Sequence, residues 1–192
     1  MTEPGGTAVD VVRGEMQPWT DYAGAVRPPG GVVLRRLLAD VLPDGVARAL
    51  IVGPHDDDVV EHVAARAARL TVLLRSVTDA AALRERLAAA LPERDAAGQV
   101  AVVAGALDGL ADRADGPYDL IVAADGLDRV LGPDSRDLDW PARLAALAGL
   151  AGAGAVVVVG CANEFALTEV LDRRPAHERH GDEEWRPIHD DP

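Results

Sequence analysis

Ala49-Leu50-Ile51-Val52-Gly53-Pro54-His55-Asp56-Asp57-Asp58 is the stretch whose reading decides the fold. Four apolar residues in an unbroken run read as a strand buried on both faces, because a strand with one wet face would alternate apolar and polar. Gly53-Pro54 ends that strand. A helical pattern opens at the aspartates: Val59, Val60, Val63, Ala64 and Ala67 recur at helical spacing up to Leu70, with Glu61 and Arg66 on the outside. Asp56 or Asp57 is placed to cap this helix, where a carboxylate meets unpaired N–H groups and the positive end of the helix dipole. Strand, tight turn and helix form the opening unit of an α/β sheet.

Outward from this unit the alternation continues. Leu70–Leu74, Gln99–Val103, Tyr118–Ala123 and Ala155–Gly160 are further strand-like apolar runs. Between them lie helical patterns at Asp79–Leu91 (capped by Thr78 or Asp79), Leu107–Arg113 and Trp140–Leu150, the last with Pro141 in its first turn. A helix at Val32–Val41 precedes the first strand, and another runs through Asn163 to Leu171. Regular alternation implies right-handed crossovers and parallel pairing. The expected fold is therefore a Rossmann-like, doubly wound α/β domain of five parallel strands with helices on both faces.

Three regions are expected: an arm over residues 1–31, a domain over 32–172 and a polar, flexible tail over 173–192. The arm is rich in Pro and Gly and carries Trp19 and Tyr22, which the pattern leaves outside the core. Of the 192 residues, 19 are basic and 32 acidic, a formal charge of -13. That balance opposes a nucleic-acid surface, which needs clustered cations to displace counterions, and equally an anionic membrane. The basic residues are all Arg, in an Ala-, Gly-, Val- and Asp-rich chain of GC-rich, actinobacterial-type composition, so chemistry that needs a lysine is excluded. Cys161 is the lone cysteine and reads as an inert buried thiol; no metal site is expected. Residues 1–18 hold no apolar signal core, and the uncharged stretch 144–162 is too rich in Ala and Gly for a spanning helix, so a cytoplasmic location is expected.

In an open parallel sheet, ligands bind beyond the carboxyl ends of the strands. Three aspartates after the first strand would repel a pyrophosphate, so the crevice there is expected to be negative, closed to nucleotides and open to a cationic ligand. Arg75-Ser76 permits a rival reading, because an arginine after the second strand can meet a 2′-phosphate.

The order of segments resembles the class I S-adenosylmethionine-dependent methyltransferases. Ala49 to His55 resembles their first motif, Tyr118 to Asp125 their fourth-strand motif, and Leu144 to Gly160 their helix, glycine turn and fifth strand. The resemblance implies S-adenosylmethionine as cofactor, held by Gly53, Pro54, His55, Asp57, Arg75, Ser76, Ala106, Leu107, Ala123 and Asp125. It implies a small-molecule methyl acceptor facing Asp125 or Asn163. Trp19 and Tyr22 either close over the cleft and meet a sulfonium by cation–π contact or simply pin the N-terminal arm. The chain also departs from the family. The second and third glycines of the first motif fall on His55 and Asp57, and the acid expected after the second strand is replaced by Leu74 and Arg75. Two readings follow: a small-molecule methyltransferase, or a catalytically inactive methyltransferase-like scaffold or partner-binding subunit, with a protein partner or second copy at the sheet edge beyond the fifth strand.

Overall fold

The computed structural model of the chain describes residues 9–22, 28, 30–42, 45–113 and 116–161. The strands are β1 (Asp10–Val11), β2 (Val46–Val52), β3 (Ala67–Leu74), β4 (Val100–Ala104), β5 (Tyr118–Ala123) and β6 (Ala151–Val159). The helices are α1 (Gly31–Val41), α2 (Asp57–Ala64), α3 (Val77–Ala90), α4 (Pro92–Ala96), α5 (Leu107–Arg113) and α6 (Trp140–Gly149). The strands make one sheet in the order β1-β4-β3-β2-β5-β6, and every pairing is parallel.

Alternate residues of each strand feed opposite faces, as the two-residue pleat requires. In β2, Ala49 and Ile51 pack under α1, α2 and α3 beside Leu38, Val59, Val63 and Leu83. Leu50 and Val52 point the other way, toward Leu107 and Leu110 of α5 and Leu147 of α6. With both faces covered, the strands read as continuous apolar runs. The fold is the Rossmann-like, doubly wound sheet that the resemblance implies. Without β1, the order matches the 3-2-1-4-5 of that architecture, and its switch point lies between β2 and β5.

The sheet has six strands rather than five, because the arm supplies β1 at the edge beside β4, pairing Asp10 with Val103 and Val11 with Ala104. Two residues are too short a run to show in a sequence pattern. Ala67, expected on the helix after Asp57, instead opens β3 because it pairs with Val46. The cap of α3 is Ser76 rather than Thr78 or Asp79: its hydroxyl accepts the Asp79 N–H at 3.0 Å. β6 begins at Ala151, so Gly152 and Gly154 lie within it, and the pairing with β5 shifts register there. Cys161 is exposed, not buried, since it follows the end of β6 at the surface. The helix expected through Asn163 and the tail from 173 fall outside the described residues. No helix among the described residues is long and apolar enough to cross a membrane.

Candidate functional site

The carboxyl ends of β2, β3, β4 and β5 form the trough where this architecture places ligands. The structure brings most of the expected site residues to it: Gly53, Pro54 and His55 after β2, Arg75 and Ser76 after β3, Ala106 and Leu107 after β4, and Ala123 and Asp125 at β5. Asn163 lies outside the described residues.

The three aspartates do not act together. Asp56 caps α2, accepting the Asp57 N–H at 2.9 Å. Asp57 faces outward and pairs with Arg86 of α3 at 2.8 Å. Asp58 accepts the Gly31 N–H at 3.0 Å and pairs with Arg35 at 3.2 Å, so it caps α1 from the neighbouring helix. Each carboxylate is matched by a helix N-terminus or an arginine. The expected negative, open crevice is therefore not what the chain builds.

His55 lies at the switch point, fully buried. Its Nδ1 is 2.7 Å from the Gly53 carbonyl, which can only accept, so Nδ1 carries the proton. Nε2 is then free to accept the Ala124 N–H at 3.2 Å. The imidazole thus ties the end of β2 to the end of β5, where the family's motif has a glycine. Burial holds its pKa below the ordinary 6.5. The Tyr22 hydroxyl clips the same residue's backbone, donating to the His55 carbonyl at 3.0 Å and accepting its N–H at 3.2 Å. Burial pushes the phenol up to about 12, so it stays protonated and able to donate.

Arg75, also fully buried, carries the next contact. Its Nε and terminal nitrogen donate to Asp21, the closest pair at 2.6 Å. Trp19 lies over this guanidinium, 5.5 Å from ring centroid to Cζ, so the cation that the ring meets is the chain's own arginine. Ser76 donates to the Trp19 carbonyl at 2.6 Å. Asp79 receives Thr20 Oγ1 and the Asp21 N–H, both at 2.7 Å; burial nevertheless raises its pKa. On the far side Arg129 binds Asp125 through two nitrogens at 2.7 and 2.6 Å and donates to the Asp21 carbonyl at 2.8 Å.

Traced along the chain, the arm crosses the ends of the strands one by one. Arg13 accepts the Ala106 N–H at the end of β4, Met16 bridges to Ser76 at the end of β3, and Tyr22 reaches His55 at the end of β2. Far from lying outside the core, the arm buries Met16 and Asp21. Sequence reasoning missed Asp21, Asp79 and Arg129, whose partners lie 54 or more residues away, apart from the local Arg129–Asp125 and Trp19–Asp21 contacts. S-adenosylmethionine does not fit this trough as it stands. The Ala106 N–H, Arg75, Ser76 and the backbone of His55 are all engaged by the arm, and the residue after β3 is Arg75, a donor, where the ribose would need an acceptor.

Close backbone approach locks the arm in place. Gly132 lies against Gly14, and a Cβ there would run into the Gly14 carbonyl oxygen. Gly132→Ala is expected to cost about 1–3 kcal/mol, the range for overpacking a tight contact. Denaturant midpoints check it, and a loss under half a kcal/mol would show that the arm is not held there.

No family model matches the chain, and no curated protein matches it. Among solved structures it is similar to a precorrin-8W decarboxylase of Methanobacterium thermoautotrophicum, at 17% identity and TM-score 0.49 over 69% of this chain. It is also similar to a Staphylococcus aureus protein assigned as a caffeoyl-CoA O-methyltransferase, at 18% identity and TM-score 0.44 over 65% of this chain. The chain spans less than two thirds of either, 63% of the first and 53% of the second.

Proposed function

We propose that the chain is a catalytically inactive, methyltransferase-like scaffold whose cofactor trough is filled by its own N-terminal arm. One observation carries this reading: the arm engages the ends of β2, β3 and β4 through buried, paired groups, with Asp21 on Arg75 and Tyr22 on His55. Magnitudes favour it over S-adenosylmethionine-dependent methylation of a small molecule. Admitting a cofactor means parting a buried ion pair, which costs roughly 3–5 kcal/mol when one partner is lost. An open form that rare weakens apparent affinity by roughly two to four decades, because only the competent fraction binds.

The test is calorimetry and thermal shift of the full chain with S-adenosylmethionine and S-adenosylhomocysteine. The expected result is no heat of binding and no shift at millimolar ligand. Saturable binding that stabilises the fold by about 2.7 kcal/mol at a hundred times Kd, and that is lost in Gly53→Val, would overturn the filled-trough reading and support the methyltransferase one.

A further inference from the structure

Four of the large apolar side chains most exposed to water share one helix. Val32, Val33, Leu37 and Val41 of α1 are 70%, 85%, 52% and 43% exposed. The helix itself is docked: Leu38 is fully buried and Leu34 packs against the same core. Val33, Leu37 and Val41 are spaced four apart, so they fall within an arc of about 80° beside the docked face, while Val32 lies off this stripe. Arg36 and Asp40 flank the stripe on the side away from Leu34 and Leu38, and neither has an ion-pair partner among the described residues.

We propose that this stripe takes α1 of a second copy of the chain, antiparallel, about a two-fold axis through Leu37. The pattern is its own complement. Reversal about Leu37 lays Val33 on Val41 of the partner subunit and Leu37 on itself, the self-matched surface that an isologous contact needs, with i±4 ridges meeting i±4 grooves. The charges are self-complementary too. Arg36 stands one residue before the axis and Asp40 three after it, so reversal brings Asp40 of the partner subunit to within two residues of Arg36, about 3 Å along the helix, and does so twice. The overall charge of -13 repels a second copy, whereas this helix, with Arg35 and Arg36 against Asp40, does not add to that repulsion. Eleven residues make a small interface, so the dimer is weak and concentration-dependent. It lies outside the trough, so a cofactor-binding result leaves it standing.

Sedimentation velocity of the full chain from micromolar to millimolar should show the mass rising from one copy toward two. Leu37→Glu should hold it at one copy. Arg36→Asp and Asp40→Arg should each weaken association at least about tenfold, since each sets like charges opposite one another, and the double reversal should restore it. These positions are exposed, so circular dichroism should be unchanged in all four variants. A monomer at every concentration, a dimer that survives Leu37→Glu, or a double reversal that fails to restore association would overturn the proposal.

Discussion

Asp21→Ala is expected to destabilise the protein by about 3–5 kcal/mol, because it removes one partner of a buried ion pair with the Arg75 guanidinium. The Leu131 carbonyl at 3.4 Å and the face of Trp19 also lie against this guanidinium, and neither matches the charge-assisted bonds of the Asp21 carboxylate. Cutting off the carboxylate spares the backbone bonds that Asp21 makes to Asp79 and Arg129 but also removes the acceptor of the Trp19 Nε1–H at 3.2 Å, so the loss reports on the carboxylate's contacts together. Arg75→Ala should cost about as much, by stranding the carboxylate instead. The pair Asp21→Leu with Arg75→Met should lose far less than the sum of the single changes, since an apolar replacement removes both desolvation penalties at once. Urea unfolding with a constant slope measures all three variants against wild type. A loss below 1 kcal/mol in Asp21→Ala would mean that the arm is not seated on Arg75. The same variant distinguishes a masked trough from a lost one: S-adenosylmethionine binding that emerges in Asp21→Ala marks a competent site under the arm, and continued absence marks a site whose groups have gone.

The sheet was legible because burial on both faces writes each strand as an apolar run, and Ala49–Val52, Leu70–Leu74 and Tyr118–Ala123 all lie inside the strands found. Boundaries slipped where pairing overrides composition, as at Ala67, whose alanine suits a helix but whose partner Val46 sets a strand. The site was less legible, and Asp56 to Asp58 show why. In sequence they are one negative run. In the fold their partners are a helix N-terminus next door, an arginine 29 residues on and another helix N-terminus 27 residues back, and only tertiary structure brings these together. The arm was misplaced for a related reason. Its Pro/Gly-rich composition describes a chain that cannot fold alone, and its anchors, Asp21 to Arg75 and Tyr22 to His55, span 54 and 33 residues. His55 could have been suspected on one ground: a side chain standing where the motif has glycine must fill the space a ligand would take.

His55 should also give the protein a pH dependence of known sign. Its folded pKa lies below 6.5, chiefly through burial, with Arg129 pushing the same way and Asp125 and the Gly53 carbonyl opposing. A proton added at Nε2 would face the Ala124 N–H and remove the acceptor that joins β2 to β5. The unfolded chain, with an ordinary histidine, takes up that proton first. Stability from this residue is therefore complete above pH 6.5 and falls as pH drops below it toward the folded value, by up to about 1.4 kcal/mol per pH unit. His62, also held below 6.5 chiefly by burial with Arg66 and Arg35 adding to it, contributes in the same direction. Asp79, raised by burial, acts with opposite sign. His55→Ala should cost roughly 2–4 kcal/mol at pH 7.5, since it opens a cavity and orphans the partly buried Ala124 N–H and the buried Gly53 carbonyl. Its loss relative to wild type should shrink as pH falls from 6.5 to 5, because the variant no longer carries the linked proton. His62→Gln, measured alongside, should remove only its own share of the slope. A wild-type stability that stays flat over this range, or a His55→Ala curve parallel to it, would show that the imidazole is not the strut at the switch point.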